Sequence, residues 1–223
     1  MKILVVAPHP DDELIGCGGT LLKESRAGHE IGWLLVTSVK PGSGWTQEQI
    51  MTRADKVDRV RQGLNIAKEN HFELNIQTAE VDRLPVSTLI SKVSEAVNSF
   101  KPEVIMVPHP YDVHSDHRLI AASTMACTKC FRYPYIKKII AYETVSETDY
   151  ILNPNEQFHP NLYVNISDYL EEKLELLKIY DDELGEHPFP RSLYGVKSQA
   201  IVRGLQSGFK FAEAFNLLRE RIY

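Results

Sequence analysis

The sequence has few cysteines, no long apolar run and no excess of positive charge, and each lack excludes a class of protein. Three cysteines in 223 residues cannot all pair within one chain, which is typical of a reducing compartment. No stretch approaches the ~20 apolar residues that cross a bilayer, and the N-terminal apolar segment is too short for a signal sequence. A net charge of -5 provides no basic surface for nucleic acid. We therefore expect a cytoplasmic protein that neither inserts into a membrane nor binds nucleic acid.

Linkers, internal repeats and low-complexity tracts are also missing, so we expect a single domain over residues 1–223. A hydrophobic content of 43% and a charged content of 25% are ordinary for a globular protein. A chain of this length buries roughly 70% of the surface that its unfolded form exposes. Its core therefore needs no disulfide or metal to be stable.

Apolar segments alternate with amphipathic segments along the chain, which predicts strands and helices in turn. Within the first predicted strand, residues 3–8 are continuously apolar, as in a strand that is covered on both faces. The predicted strands are 2–8, 31–37, 72–77, 104–107, 138–142 and 162–166. The predicted helices are 20–27, 46–69, 85–100, one that opens at 114, 168–180 and 210–221, with a polar loop near 41–44. This alternation predicts a Rossmann-like, doubly wound α/β fold with a mostly parallel sheet and helices on both faces.

Two histidine-rich segments follow predicted strands. Residues 9–13 read His-Pro-Asp-Asp-Glu after the first strand, and residues 114–117 read His-Ser-Asp-His after the fourth. The carboxyl ends of parallel strands meet at one edge of the sheet, where ligands bind in doubly wound folds. We therefore expect the two segments to lie together and to form the functional site.

The residue types in these segments indicate a metal site. One imidazole and three carboxylates share a single turn. If all three carboxylates were ionised, they would repel one another unless a cation neutralised them. His114 and His117 are three positions apart, so they share one face of a helix. Joined with the segment that holds His9, they give a set of two histidines and one carboxylate that suits a catalytic Zn²⁺ with an open water position, and similar ligands also accept Fe²⁺, Co²⁺ or Mn²⁺. The alternative is structural, since Asp11 or Asp12 could simply cap the following helix.

These motifs resemble those of the PIG-L/LmbE family of zinc-dependent N-acetylglucosaminyl deacetylases. The signature of that family is an Ala-His-Pro-Asp-Asp-Glu turn after the first strand and a later His-x-Asp-His motif, and only the alanine differs, being Pro8 here. Segments 189–192, 203–204 and 212–215 match as well, so the resemblance spans the chain. It implies a hydrolase that removes an N-acyl group, most simply N-acetyl, from an N-acetylglucosamine-type sugar or glycoconjugate.

Carried over position by position, the resemblance also implies roles for individual residues. Three of them would bind the metal, namely His9, Asp12 and His117. Asp11 would be the general base that activates the metal-bound water. His114 would polarise the amide carbonyl or stabilise the oxyanion, and Asp116 would orient its ring.

Two arginines are candidates for substrate binding by the same resemblance. The family carries an arginine, followed three positions later by a glutamate, on the helix after the second strand. Arg59 followed by Gln62 is the closest match here, and Arg61 gives a rival register. Both arginines could instead belong to the solvated face of a helix. Arg191 lies in a segment where relatives carry His-Pro-Arg-Ser, with Phe189 in place of the histidine.

Other functions remain open at this stage. The same machinery would serve an amidase of a thiol–sugar conjugate, or the chain could be a metal-binding protein without turnover. Asp11 argues against the last, because metal binding alone needs no spare carboxylate beside Asp12. Homo-oligomerisation is compatible with the resemblance, although no feature of the sequence indicates it.

Three weaker signals carry less chemistry. Cys127 and Cys130 have CxxC spacing but lack a second pair, so we interpret them as small buried hydrophobic residues late in a helix. The glycines at 16, 18 and 19 lack dinucleotide-binding spacing and are better explained by close packing of helix and strand. The segment 142–146 either lines the sugar site or is an ordinary loop.

Overall fold

The protein folds around a seven-stranded sheet, as seen in a computed structural model that describes residues 1–42 and 44–222. The strands are β1 (Lys2–Ala7), β2 (Glu30–Ser38), β3 (His71–Gln77), β4 (Val104–Pro108), β5 (Lys138–Tyr142), β6 (Leu162–Asn165) and β7 (Ala212–Glu220). Their order in the sheet is β3-β2-β1-β4-β5-β7-β6. The first five strands of that order run parallel, and β7 is antiparallel to both of its neighbours.

Helices cover both faces of the sheet, which confirms the predicted doubly wound α/β fold. The helices are α1 (Asp12–Arg26), α2 (Gln47–Gly63), α3 (Val86–Phe100), α4 (Ser115–Ala126), α5 (Leu170–Leu177) and α6 (Leu193–Ser207). Alternate residues of β1 point to opposite faces. Val5 belongs to the core cluster that includes residues of α1, α2, α5 and α6, whereas Val6 belongs to the cluster that includes residues of α3 and α4. None of the helices in the described ranges is long and apolar enough to cross a membrane.

Helix α1 begins eight residues earlier than the predicted helix 20–27, at Asp12. The prediction was wrong because three glycines disfavour a helix locally, whereas tertiary contacts impose one. A Cβ on Gly16 would lie 2.2 Å from the ring of Tyr142, so only glycine allows this close approach, as the sequence suggested. The helix is kinked at Cys17, which has a φ of -150°. The chain then turns at Gly28, whose φ is +83°.

Helix α2 is shorter than the predicted helix 46–69. Thr46 caps its N-terminus in a reciprocal capping box with Gln49, but the helix ends at Gly63. Asn65 adopts a left-handed φ of 55°, which stops the helix. The predicted polar loop 41–44 includes residue 43, which lies outside the described residues.

The predicted C-terminal helix, residues 210–221, is wrong, because most of this segment is a strand. Residues 210–221 are rich in Ala, Glu and Leu, which favour a helix, but Ala212–Glu220 forms β7 between β5 and β6. Pairing on both sides outweighs local propensity here. Helix α6 was missed, although the hydroxyl of Ser192 caps its start and Gly208 ends it with a φ of 76°. Both are standard signals of a helix start and stop.

The two clustered cysteines differ from each other. Helix α4 ends at Ala126, so Cys127 and Cys130 follow the helix and do not lie within it. Cys127 is buried, as expected, whereas Cys130 is exposed. Both are free thiols, as is Cys17.

Candidate metal centre

A cleft of about 550 Å³, here called the metal cleft, opens at the carboxyl edge of β1 and β4. The loop from β1 into α1 and the loop from β4 into α4 meet there, as the topology predicted. The helix N-termini at Asp12 and Ser115 point into this region and favour negative charge there. The cleft is lined by His9, Asp11, Asp12, Arg53, Thr78, His114, His117, Thr144, Ser146, Glu147, Glu183 and Arg191.

Three donor atoms in the metal cleft form a nearly equilateral triangle. Asp12 Oδ2 lies 3.3 Å from His9 Nδ1 and 3.3 Å from His117 Nε2, and the two ring nitrogens are 3.4 Å apart. Ligands held about 2.1 Å from a tetrahedral metal lie about 3.4 Å from one another. The triangle therefore fits three ligands of a tetrahedral metal with its fourth position open to the cleft.

Each histidine of the triangle is held by a carboxylate behind it. The second ring nitrogen of His117 lies 2.8 Å from Asp112 Oδ2, and that of His9 lies 3.1 Å from Asp116 Oδ2. Such carboxylate–histidine pairs fix the ring orientation and raise the basicity of metal ligands. Asp116 thus holds His9 with its carboxylate, and not His114 as the resemblance implied. Asp112 was not predicted, although it stands two positions before His114.

A further layer of hydrogen bonds fixes these carboxylates. The hydroxyl of Thr148 donates to Asp112 Oδ1 at 2.7 Å, and the backbone N–H of Ala79 donates to Asp116 Oδ2 at 2.9 Å. Ala79 has a left-handed φ of 59°, which is costly for alanine. Asp12 Oδ2 also accepts the backbone N–H of His9 at 2.8 Å. The donor triangle is therefore preorganised by the loops that follow β1, β3, β4 and β5.

The electrostatics of the triangle suit a cation. Burial lowers the pKa of His9, but its bonds to Asp116 and Asp12 raise it overall to about 9. Burial likewise lowers the pKa of His117, while Asp12 and Asp112 raise it to about 10. Burial raises the pKa of Asp12, yet the two histidines hold it well below its usual range. The carboxylates thus keep positive charge on the rings, and a bound cation would take the place of those protons.

Asp11 occupies the N-cap position of α1, but its side chain makes no capping hydrogen bond. The purely structural interpretation of Asp11 therefore loses its support. Its φ of 122° is a strained conformation, and strain of this kind concentrates at functional sites. The guanidinium of Arg191 donates to Asp11 Oδ2 at 3.0 Å. Burial and the neighbouring Asp12 raise the pKa of Asp11 to about 7, which is a suitable value for a general base.

Arg191, predicted to bind substrate, lines the metal cleft and contacts Asp11 there. The ring of Phe189 lies 5.6 Å from its guanidinium carbon, and Glu183 lies 3.6 Å from its NH1 atom. Phe189 thus supports Arg191 by a cation–π contact.

Arg59, the predicted substrate-binding arginine of α2, does not line the metal cleft. It lies on the exposed face of the helix, whereas Arg53 lines the metal cleft and pairs with Glu183 at 2.7 Å. The buried residues of α2 are Arg53, Val57 and Val60, which share one face at helical spacing. An arginine in an otherwise apolar stripe was the signal that would have identified Arg53.

His114 lines the cleft beside the triangle, with its ring centroid 4.6 Å from that of His9. Its Nδ1 accepts the backbone N–H of Asp116 at 3.1 Å and caps α4. Burial and the charges of His9 and His117 lower its pKa to about 4, so the ring is neutral near pH 7. Because Nδ1 accepts, the proton of the neutral ring is on Nε2, where it can be donated.

A second group of donor atoms overlaps the triangle, and one further histidine lies apart from it. His9, His114 and Asp116 also bring donor atoms within 4.8 Å of one another, but Asp116 already pairs with His9 and with a backbone N–H. His109 is buried away from the cleft, where its Nε2 bonds the carbonyl of Glu156 at 2.8 Å. Of the three histidines between residues 109 and 117, His109 therefore has a structural role.

The segment 142–146 contributes some residues to the metal cleft and others to structural contacts outside it. Thr144 and Ser146 line the metal cleft. Glu143 instead makes a bidentate ion pair with Arg203, and the hydroxyl of Tyr142 donates to the carbonyl of Val6 at 2.9 Å.

Known proteins resemble this chain in sequence and in fold. A family model described as GlcNAc-PI de-N-acetylase (PIG-L) matches residues 4–128. The diacetylchitobiose deacetylase of Thermococcus kodakarensis is 24% identical over 231 residues, which cover 97% of this chain and 83% of that protein. The N,N'-diacetylchitobiose deacetylase from Pyrococcus horikoshii shares the fold with a TM-score of 0.77 and 22% identity, covering 98% of this chain and 84% of that one.

The fold alone does not specify the reaction. GalB, the 4-carboxy-2-hydroxymuconate hydratase from Pseudomonas putida KT2440, has a TM-score of 0.75 with 14% identity, covering 100% of this chain and 98% of that one. Because a hydratase and a deacetylase share this architecture, the chemistry has to be argued from the residues of the cleft.

Proposed function

We propose, from the premise that the chain belongs to the PIG-L family of GlcNAc-PI de-N-acetylases, that it is a zinc-dependent hydrolase of N-acetylated sugars. Its reaction would remove the acetyl group from an N-acetylglucosamine-type sugar or glycoconjugate. The observation that carries the proposal is the donor triangle with a spare carboxylate, Asp11, in the same cleft.

The metal would be held by His9, Asp12 and His117. Two imidazoles and one carboxylate form a donor set that zinc favours in hydrolases. A divalent cation, when bound there, would lower the pKa of water toward ~7 and polarise a carbonyl oxygen. The rings of His9 and His117 are kept in place by Asp116 and Asp112, so the triangle needs little reorganisation.

Asp11 would act as the general base and then as the general acid. It would accept a proton from the water that attacks the amide carbon, and a C–O bond would form. When the C–N bond breaks, the same proton would pass to the leaving nitrogen, giving a free amine and acetic acid, which ionises to acetate by releasing its proton to solvent. The hydrogen bond from Arg191 holds one oxygen of Asp11, which leaves the other oxygen for the proton.

His114 would stabilise the oxyanion as a neutral donor. Its Nδ1 is occupied by the backbone N–H of Asp116, so Nε2–H is the group available to the developing negative charge. Donors that are fixed before the reaction stabilise the transition state most effectively.

The rest of the metal cleft suits a neutral, hydroxyl-rich substrate. Arg53 and Arg191 line it, but both are paired with Glu183, and Glu147 lines it as well. Paired charges offer donors and acceptors for hydroxyl groups and leave no uncompensated positive charge for an anion. This pattern favours a sugar.

Amine release from N-acetylated sugars tests the proposal. We expect release by the zinc-loaded protein, its loss after chelation and its recovery when zinc is added. The core should stay folded without metal, so circular dichroism of the chelated protein serves as the control. If the loaded protein cleaves no amide across a panel of acetylated amino sugars, thiol–sugar conjugates included, the hydrolase assignment is wrong.

Replacing His114 with asparagine should lower kcat about a hundredfold or more, because an oxyanion donor typically contributes ~2.7–4 kcal/mol. Asparagine also caps helices well, so α4 should be preserved. Steady-state kinetics and zinc content measure the effect, and the metal should remain bound. His159→Ala, at an exposed position outside the cleft, is the matched control. A decrease of less than about fivefold in His114→Asn would remove His114 from the mechanism.

A further inference from the structure

A second cavity, here called the apolar groove, adjoins the metal cleft. It has a volume of about 490 Å³ and lies where α2 faces the carboxyl ends of β2 and β3. Most of its walls are hydrocarbon, contributed by Leu35, Val39, Ile50, Ala54 and Val57. Leu35 and Val57 are buried and close the bottom, whereas Ile50 and Ala54 are partly or fully exposed along the rim.

The apolar groove and the metal cleft are neighbours that share part of their walls. Arg53 lines both cavities. Pro10 lines the groove, and its neighbours in sequence, His9 and Asp11, line the cleft. The walls also meet where the hydroxyl of Thr78, in the cleft, donates to that of Thr37, in the groove, at 3.2 Å. A group attached to a substrate at the metal triangle would therefore need to pass only this shared boundary to reach the groove.

We propose that the apolar groove binds an apolar aglycone, alkyl or aryl, attached to the N-acetylated sugar. This inference rests on the proposed function and names the substrate class more closely. Polar groups, namely the Arg53–Glu183 pair and Thr78, line the cleft next to the groove. The part of the substrate that passes these polar groups should carry hydroxyls, as the sugar ring does. A group in the groove would then be separated from the amide by the sugar, which fits an aglycone better than an acyl chain.

The first experiment compares the methyl and octyl β-glycosides of N-acetylglucosamine, assayed by amine release with the zinc-loaded protein. Each buried methylene group strengthens binding by a factor of about four. Partial burial of the octyl chain should therefore raise kcat/KM at least about tenfold over the methyl glycoside. An N-octanoyl analogue of the methyl glycoside tests whether the groove takes the acyl chain.

Two neighbouring positions on α2 provide a matched pair of variants. Ile50→Glu places a charge in the groove, whereas Met51→Glu places the same charge on a residue that is 65% exposed and does not line it. Both lie in the first turns of the helix, so the effect on α2 itself should be alike. The octyl-to-methyl ratio of kcat/KM should fall about tenfold in Ile50→Glu and remain unchanged in Met51→Glu.

A binding measurement separates this inference from the proposed function. Octyl β-glucoside has no amide, and calorimetry below its micellar concentration reports binding without turnover. Tighter binding than methyl β-glucoside, lost in Ile50→Glu, supports the groove even if no amide is cleaved. Equal rates and equal binding for methyl and octyl compounds overturn the groove while leaving deacetylation intact. Preference for the N-octanoyl analogue, lost in Ile50→Glu, overturns the aglycone assignment.

Discussion

Replacing Asp11 with asparagine is expected to lower kcat about a thousandfold while the metal stays bound. A general base contributes typically 10²–10⁴-fold, and asparagine cannot accept the proton. The metal triangle does not include Asp11, so zinc content measured by atomic absorption should equal that of the unchanged protein. Asp12→Asn is the contrasting variant, because it alters a corner of the triangle and should lose the metal together with activity.

The surroundings of position 11 should accommodate asparagine without a change in the fold. Asparagine has the same size as aspartate and is one of the few residues that tolerates positive φ, which position 11 requires. Its carbonyl oxygen can still accept the hydrogen bond from Arg191 that Asp11 accepts now. Removing a buried charge should not weaken folding, so the thermal midpoint should not fall. If kcat falls less than tenfold with metal retained, another group is the base.

The sequence was sufficient to bring the triangle together because a topological rule connects its two halves. His9 and His117 are 108 positions apart, yet each follows a strand whose carboxyl end lies at the same edge of a parallel sheet. Adjacent pairing of β1 and β4 then places the two loops side by side. The chemistry of a crowded carboxylate turn supplied the rest, since a bound cation relieves the repulsion between ionised carboxylates.

The groups that hold the triangle in place could not be predicted from the sequence in this way. Ala79 acts through its backbone N–H, and every residue except proline carries that group, so the residue type does not indicate the role. Thr148 reaches Asp112 only because the loop after β5 folds back over the cleft. Glu183 belongs to a segment without periodicity, and it becomes important by receiving Arg53 and Arg191. These contacts depend on tertiary placement of loops, for which a single sequence carries no local signal.

The errors in the fold have a related origin. Strands β1, β2, β4 and β5 lie inside the sheet and are mostly buried, so their apolar runs were sufficient. Strand β7 contains Glu213, which reads as a solvated helix residue but is 5% exposed. Helix α1 was predicted too short because its glycines and its kink at Cys17 are stabilised from outside the helix. Both errors meet at one contact, in which Glu213 of β7 reaches the kink of α1.

Replacing Lys173 with methionine is expected to lower the free energy of unfolding by about 3–5 kcal/mol, because it leaves a buried charge without its partner. Lys173 Nζ donates to Glu213 at 2.7 Å and to the carbonyl of Ile15 at 2.9 Å. Glu213 in turn accepts the backbone N–H groups of Gly19 at 2.8 Å and Thr20 at 2.7 Å. The ion pair therefore satisfies the donors and acceptors that the kink of α1 leaves open.

Urea denaturation of the Lys173→Met protein measures this loss, and two further variants define its cause. Lys178→Met removes an exposed pair with Glu175 and should cost less than about 1 kcal/mol. The double variant Lys173→Met with Glu213→Gln should be more stable than the sum of the single changes predicts, since no unpaired charge is then buried. An effect of Lys173→Met as small as that of Lys178→Met would show that the kink holds without the pair. Because the kinked helix begins at Asp12 and presents Asp11, a large effect would connect the buried pair to the geometry of the metal cleft.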